Sequence, residues 1–417
     1  MIYKYTLVML TSYKRLFAVP GGWRFSLAAF ILRLPISMLY LAIVLFVVAE
    51  TESYSLAGAI SMVSSVVLAV ATPLWSRVAD QFGQNRVLYI TVPIHVAALG
   101  AFVFLVISDA PTWSWFLAAI IFESFVIGSG QMVRRRWIHA IGDDRKLMDT
   151  AYSFEALVDE VIFTSGPVIA TLVAAYFFPA ASIFTAMGFI VIGSILFAIQ
   201  KSTLPPAHPK ELGDDHSLLI RDRFIQALFI PMMLCGSFFS ATGLVLVGYL
   251  DEFGNRNYSG FFIAIWSLSS GIAAFVSGTI HWKLNEARRF INSTFALFAL
   301  TIPIFLSVFF FEGNLWILAL SLFLNGLAIA PLLTAGFALA ERSVSPKRTT
   351  EVLAWSISAL NLGGALPTAI TGYIIDTFGP SVAFLIPVLC MTLSVLSFLP
   401  FIRLWRQKVT QIPVSVP

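Results

Sequence analysis

Charged residues are scarce in this chain: only 12% of its 417 residues are Asp, Glu, Lys or Arg, whereas 58% are hydrophobic. Soluble domains carry about 25% charged residues, so this composition excludes a water-soluble fold. The two cysteines, Cys235 and Cys390, both lie in apolar runs, so we expect free thiols and no disulfide framework. The five histidines lack metal-ligand spacing, and there is no Walker loop for ATP. We therefore expect no metal or cofactor, and an ATP-driven pump is disfavoured.

Long apolar runs are abundant, by contrast, and they recur along the whole chain. About 20 apolar residues are needed to cross the hydrocarbon core of a bilayer. Twelve such runs, here called spans 1 to 12, lie at residues 24–48, 56–75, 87–107, 113–133, 150–177, 180–200, 224–250, 259–280, 290–311, 315–339, 352–375 and 381–401. The sequence therefore predicts an all-α polytopic membrane protein with twelve transmembrane helices.

Basic residues fall almost entirely in alternate gaps between the spans. Of the 26 Lys and Arg residues, 24 lie in the termini, counting Arg24 at the start of span 1, or in even-numbered gaps, while Arg256 lies in an odd-numbered gap and Arg33 within span 1. Because basic loops stay on the cytoplasmic side, both termini are predicted to be cytoplasmic. Residues 1–23 lack a small-residue cleavage site, which favours a retained N-terminus over a signal peptide. The net charge of +4 then reflects orientation and does not indicate a nucleic-acid partner.

A polar linker at residues 201–223 separates six spans from six. Landmarks recur across it at a nearly constant spacing: Pro35 and Pro231, Gly128 and Gly326, Pro167 and Pro367. Chance is the alternative explanation, since Gly and Pro are common in membrane helices. Duplication predicts two pseudo-symmetric bundles at 24–200 and 224–401, between a cytoplasmic N-terminus (1–23) and a cytoplasmic tail (402–417). Two repeated halves around a central path are typical of a transporter.

The gap between spans 2 and 3 carries a recognisable motif, because residues 76–86 read SRVADQFGQNR. Asp80, Gly83 and Arg86 match the signature loop of the major facilitator superfamily, written roughly G-x-L-A-D-R-x-G-R-R, and the twelve spans with a central linker also resemble that family. The departures from the motif are Ser76, Gln81, Gln84 and Asn85. The resemblance implies a loop that latches the two halves on the cytoplasmic side, weakly here because positive charges are lost. A plain charged turn is the alternative.

Span 5 contains a second short motif, Ser165-Gly166-Pro167. It resembles a fragment of the Gly-Pro motif of drug–proton antiporters. The resemblance implies export by a bacterial drug- or metabolite-efflux branch of the family. The alternative is a helix kink that close packing allows.

Five ionisable side chains lie within the first-half spans: Arg33, Glu123, Glu155, Asp159 and Glu160. Each costs about 2.5–3.5 kcal/mol at the bilayer centre, so they must pair, be protonated or face a wet cavity. At ~1.5 Å per residue, all but Glu155 lie near mid-membrane. We expect Arg33 to face Glu123, Asp159 and Glu160, with Glu155 one turn shallower, within reach of the arginines at 134–136. Such a cluster serves proton coupling or is a structural salt bridge between spans 1 and 5.

Two polar residues in the second half, Asn325 and Asn361, lie within spans 10 and 11. They are candidates for substrate contacts. The alternative is that they form hydrogen bonds between helices.

Taken with the family resemblance, these patterns predict a secondary active transporter that moves a small molecule across the membrane by alternating access. Proton-coupled export through a monomer in the inner (plasma) membrane is the first interpretation, with protons, a small-molecule substrate and the lipid bilayer as partners. Uptake of a sugar or another metabolite by the same fold is the second. A polytopic membrane enzyme is a remote third, because no catalytic cluster of His, Asp or Glu stands out.

Overall fold

The computed structural model describes residues 13–142, 144–207, 222–279, 284–344 and 349–411, and all regular structure in these ranges is helical. Spans 1 to 6 are Gly22–Thr51, Tyr54–Phe82, Gln84–Ile107, Thr112–Ser124 with Ser129–Ile141, Arg145–Tyr176 and Ala181–Ala198. Spans 7 to 12 are Arg223–Glu252, Ser259–Thr279, Glu286–Phe310, Leu315–Gly326 with Ile329–Arg342, Thr349–Phe378, and Pro380–Ala383 with Leu385–Leu396. A C-terminal helix, Ile402–Gln411, follows span 12. The predicted all-α class is confirmed.

Eleven helices in the described residues are long and apolar enough to cross a membrane. Span 12 is apolar but shorter, at Pro380–Leu396, and Phe384 interrupts it. Spans 4 and 10 are interrupted as well, at residues 125–128 and at residues 327–328. This architecture agrees with the twelve predicted spans. Residues 208–221, most of the predicted linker, lie outside the described ranges.

Several helices begin at a side chain that accepts a hydrogen bond from the first turn. These caps are Asp144, Asp222, Asn285 and Asn314. The first backbone N–H groups of a helix have no partner within it, so a carboxylate or amide oxygen fixes the starting residue. Gly83 ends the turn between spans 2 and 3 with φ of +92°, a conformation that side chains with a Cβ rarely adopt.

The first compact unit comprises residues 1–42 and 70–213. Phe25 of span 1 packs edge-on against Trp137 of span 4, with 4.6 Å between ring centroids, and both are fully buried. Span 6 approaches span 1 closely, since a Cβ added to Gly193 would lie 2.5 Å from the backbone nitrogen of Leu32. This packing places Arg33 in the interior, where it is 1% exposed.

The second compact unit comprises residues 43–69 and 214–417. Spans 7 and 11 pack backbone to backbone within it. A Cβ added to Gly236 would overlap the carbonyl oxygen of Leu360, and one added to Gly363 would overlap that of Met233. Small residues let membrane helices approach this closely. The resulting van der Waals contacts hold the helices together, because lipid provides no hydrophobic driving force between them.

The start of span 2 also belongs to this second unit, where a side chain of span 11 accepts hydrogen bonds from the first backbone N–H groups of span 2. Asp376 accepts hydrogen bonds from the backbone N–H groups of Tyr54 at 2.9 Å and Ser55 at 2.7 Å. The Tyr54 hydroxyl donates to Asp251 at 2.7 Å, and Asp251 pairs with Arg256 at 2.5 Å. Arg256, the basic residue in an odd-numbered gap, is therefore neutralised by an ion pair.

We expect Gly236→Ala to lower the midpoint of thermal unfolding, because the new Cβ would force spans 7 and 11 apart. Overpacking of this kind costs about 1–3 kcal/mol. Gly188→Ala is the control, since a Cβ there meets nothing within 4 Å. Thermal unfolding of the purified protein in detergent measures both. Equal midpoints for the two variants would contradict the close packing.

Candidate functional site

A chain of charges crosses the interior of the first unit, and Arg33 of span 1 is its centre. The Arg33 guanidinium donates from Nη2 to Glu155 Oε2 at 2.5 Å and from Nη1 to Asp159 Oδ1 at 2.8 Å. Its Nε donates to the backbone oxygen of Ala29 at 3.2 Å. Arg33 therefore satisfies two carboxylates of span 5, one helical turn apart on the same face.

Glu155 is the fixed member of this group. It is 0% exposed, and its second oxygen accepts hydrogen bonds from Ser26 Oγ at 2.8 Å and Trp137 Nε1 at 2.7 Å. Three donors hold the carboxylate from spans 1 and 4. A buried ion pair is tolerated when its remaining lone pairs are satisfied in this way. The contact of Glu155 with Arg33 is accordingly a structural tie between spans 1 and 5.

Asp159 is the accessible member. Its Oδ1 binds Arg33 and its Oδ2 accepts from Arg134 Nη2 at 3.0 Å, so the carboxylate bridges two arginines. The side chain is 30% exposed, and that of Arg134 is 44% exposed. Asp159 is therefore the carboxylate of the pair that solvent reaches.

The ion pairs observed in this cluster differ in part from the predicted ones. Arg33 pairs with Asp159 as expected, but its other partner is Glu155, and Arg134 reaches Asp159 instead of Glu155. Glu160 lies beside Asp159 in sequence, partly buried, and Glu123 is partly buried in the first helix of span 4. Neither is a partner of Arg33 among the ion pairs of the described residues. Helix rotation, which composition does not fix, decides these pairings.

The loop between spans 2 and 3 is held by span 4. Asp80 forms an ion pair with Arg135, and Gly83 supplies the turn with its positive φ. Arg86 is exposed on the surface at the start of span 3. The matching residues of the motif thus lie in a charged turn. Within this turn, Asp80 is bound to the helix that carries Arg134.

Arg136 accounts for two departures from the family motif. It is fully buried, donates to Gln84 Oε1 at 3.0 Å and to Asn85 Oδ1 at 3.4 Å, and lies 3.6 Å from the centre of the Phe197 ring. Basic residues at positions 84 and 85 would oppose this charge, whereas amide oxygens accept its hydrogen bonds. Sequence reasoning missed this role, although three successive arginines at 134–136 signalled it.

The Gly-Pro motif of span 5 lies where spans 1 and 5 meet. A Cβ on Gly166 would overlap Ser37 Oγ, and the Ser37 hydroxyl donates to the backbone oxygen of Ile162 at 2.7 Å. Pro167 lies within the continuous helix Arg145–Tyr176. Close packing therefore explains the glycine without reference to export.

Asn325 links three helices of the second unit. It is fully buried, accepts from Trp266 Nε1 at 2.8 Å and donates to Thr301 Oγ1 at 3.2 Å. This geometry fits the alternative of hydrogen bonds between helices, because both ends of the amide are bound. Asn361 is partly buried in span 11.

Metal ligands do not converge in the part of the chain that the structure describes: no three His, Cys, Asp or Glu side chains come together there. Cys235 and Cys390 are free and buried. Among the ion pairs of the described residues, those of spans 1, 4 and 5 form a connected group of four charges.

Glu155→Gln should destabilise the protein far more than Asp159→Asn, because it removes the fully buried counter-ion of Arg33 and leaves only the partly exposed Asp159. Breaking a buried pair costs about 3–5 kcal/mol. Replacing Arg33 and Glu155 together by methionine should recover most of that loss, since no unpaired charge is left. Thermal unfolding midpoints of the single and double variants measure this. A double variant as unstable as Glu155→Gln would show that the pair is not the source of the loss.

Comparison with known proteins agrees with this architecture. A sequence model of the Major Facilitator Superfamily matches residues 25–313 and 228–413, which together cover most of the chain. No curated protein matches the sequence.

Among solved structures, the nucleoside transporter NupG is similar at 15% identity and a TM-score of 0.68, over 92% of this chain and 98% of that one. A D-xylose–proton symporter is similar at 13% identity and a TM-score of 0.65, over 94% and 98%. A POT family transporter in complex with a thioalcohol-conjugated peptide is similar at 14% identity and a TM-score of 0.68, over 93% and 96%. At these identities the likeness concerns the fold. The match over both halves establishes that this chain belongs to the major facilitator superfamily and is a multi-pass membrane transporter.

Proposed function

We propose that this transporter is coupled to protons and that Asp159 carries the proton. The observation that supports this most directly is the position of Asp159 between a buried arginine and a partly exposed one. An intramembrane carboxylate that solvent reaches and that pairs with arginines is a natural site for exchange of a proton. Its substrate is a small molecule, and no cofactor takes part.

In this proposal Glu155 and Asp159 have different roles, because different groups surround their carboxylates. Glu155 accepts hydrogen bonds from Arg33, Ser26 and Trp137. Asp159 has two donors, and one of them, Arg134, is partly exposed. Protonating Asp159 leaves Arg33 with its buried counter-ion and releases Arg134. We therefore assign the exchanged proton to Asp159 and a structural role to Glu155.

The released arginine connects the proton site to the cytoplasmic loop. Arg134 binds Asp159, and the next residue, Arg135, binds Asp80 in the loop between spans 2 and 3. A change at Arg134 moves the same helical turn that holds the loop. In our proposal the loop of Asp80, Gly83 and Arg86 is the cytoplasmic gate, and the proton on Asp159 sets how firmly span 4 holds it.

The proposed direction is export, which rests on the resemblance of Ser165-Gly166-Pro167 to the antiporter motif. The close approach of Gly166 to Ser37 favours the alternative reading of this tripeptide, so uptake is the second candidate. A D-xylose–proton symporter has the same fold, which fits either direction.

The remaining proposals concern placement in the cell. We expect a monomer in the inner (plasma) membrane, with both termini cytoplasmic and with bundles at 24–200 and 224–401 related by duplication. The alternating basic gaps support this orientation.

Asp159→Asn should abolish transport that a pH gradient drives, and it should retain exchange of labelled for unlabelled substrate, which needs no net proton movement. A screen for ligands that stabilise the purified protein supplies the substrate, and flux into proteoliposomes measures both modes. Asp149→Asn is the matched control, because Asp149 is exposed on the same helix. Gradient-driven transport by Asp159→Asn at the rate of the control would refute the assignment.

Inverted membrane vesicles decide the direction. If the protein exports, vesicles with an acidic interior should accumulate the substrate, because protons leave as substrate enters. If it takes up its substrate, they should not. Absence of accumulation in inverted vesicles, together with accumulation in right-side-out vesicles, would overturn export and leave proton coupling intact.

A further inference from the structure

Span 4 is unwound at the centre of the membrane. Its first helix ends at Ser124, its second begins at Ser129, and the four residues between them are not helical. The break lies in the middle of a 30-residue membrane-length segment, Thr112–Ile141. Non-helical backbone at this depth is stable only where protein buries it or where it lines a cavity.

Two side chains from neighbouring spans hold the break open. Trp75 of span 2 donates from Nε1 to the backbone oxygen of Ser124 at 2.6 Å, and its ring lies 5.6 Å from that of Phe125. His95 of span 3 is bound through Nδ1 to the backbone oxygen of Phe122 at 2.7 Å, so Nδ1 carries the proton. The Phe122 oxygen also accepts the backbone N–H of Phe125 at 3.3 Å, so the indole and the imidazole supply donors to carbonyls at the end of the first helix, where the regular helical bonds stop.

Two further carbonyls of the break have no backbone donor. The backbone–backbone hydrogen bonds of the described residues include none to the oxygens of Phe125 or Val126, whereas the oxygens of Phe122, Glu123 and Gly128 each accept at least one. Phe125, Val126 and Ile127 line a cavity of about 70 Å³ in the first unit. The rest of its wall is mainly apolar and includes Leu32 and Ile36, the neighbours of Arg33 on span 1.

The second unit provides a comparison, because a tryptophan also binds beside the interruption of span 10 while the backbone there stays helical. Span 10 is interrupted at residues 327–328, but Leu327 and Ala328 keep helical dihedral angles. Here Trp266 of span 8 donates to the Asn325 side chain rather than to a backbone carbonyl. The unwound backbone is thus a property of span 4, where the tryptophan binds the main chain.

We propose that the unwound segment of span 4 is a main-chain binding site for the transported molecule. The oxygens of Phe125 and Val126 accept hydrogen bonds from its donor group, a hydroxyl, amine or amide N–H, while a small apolar group beside that donor enters the cavity. Trp75 and His95 are positioning residues that keep the segment from winding into a helix. This inference rests on the proposed transport function and names the chemistry of its substrate.

Accessibility of a cysteine in the segment tests the proposal without turnover. The reporter is Val126→Cys in a chain in which Cys235 and Cys390, both buried, are replaced by alanine. The purified protein is labelled with methyl methanethiosulfonate in the presence of tert-butanol or of methyl tert-butyl ether, which has a similar apolar body but no donor. Ile127→Cys is a second reporter if Val126→Cys does not fold. Ile192→Cys, on an exposed position of span 6, controls for effects on the detergent.

We expect tert-butanol to slow labelling of the Val126→Cys variant at about two- to tenfold lower concentration than the ether, the difference that one hydrogen bond makes. Labelling of the Ile192→Cys variant should not distinguish the two probes. Trp75→Phe should abolish the protection, whereas Trp266→Phe should leave it unchanged. Equal protection by the ether, no protection by either probe, or full protection in Trp75→Phe would each overturn the proposal.

These outcomes are separable from those of the proposed function. Labelling requires neither a gradient nor turnover, so the site could fail this test while Asp159→Asn still loses gradient-driven transport. Conversely, protection of Val126→Cys in a protein whose Asp159→Asn variant transports normally would retain the site and remove the proton assignment.

Discussion

The bilayer core supplies no water, so every charge and every broken backbone hydrogen bond within it must be paired in the protein or face a cavity. Arg33 is an instance in the middle of span 1, where it is 1% exposed and pairs with two carboxylates. Its partners on span 5, Glu155 and Asp159, fix how spans 1 and 5 are rotated. Ser26 and Trp137 then follow, because Glu155 needs donors for its second oxygen. The arrangement of the first unit thus depends on neutralising one guanidinium.

Three successive arginines connect this group of charges to the loop between spans 2 and 3. Arg134 binds Asp159, Arg135 binds Asp80, and Arg136 donates to the amides that replace the basic residues of the family motif. Successive residues on a helix point about 100° apart, so one helical turn reaches Asp159, the loop and the start of span 3 at once. A single turn of span 4 therefore joins the ion pairs of span 5 to the loop between spans 2 and 3.

Much of this architecture could be predicted from the sequence. Run length and the alternation of basic gaps predicted the helical class and twelve spans, because bilayer thickness and loop charge are strong constraints. The presence of Arg33 and Asp159 at one depth also followed from simple counting along the helices.

The pairings within the site could not be predicted. Glu155 replaced Glu123 and Glu160 as the second partner of Arg33, because side-chain direction depends on helix rotation. The composition of span 4 did not indicate its break. The backbone at the break is bound by Trp75 and His95. In an apolar run, a tryptophan or a histidine is usually a packed residue, so neither predicted this role. For Gly166 the sequence left open an export motif or a kink that close packing allows, and the close contact with Ser37 in the structure fits the second.

The central claim is the proposal that Asp159, and not Glu155, exchanges the proton. Infrared difference spectra between acidic and neutral pH test it directly, because a protonated carboxyl has its own C=O stretching band. The account predicts that this band contains a component that disappears in Asp159→Asn and persists when Arg33 and Glu155 are replaced together. Identical spectra for Asp159→Asn and the unmodified protein would contradict it.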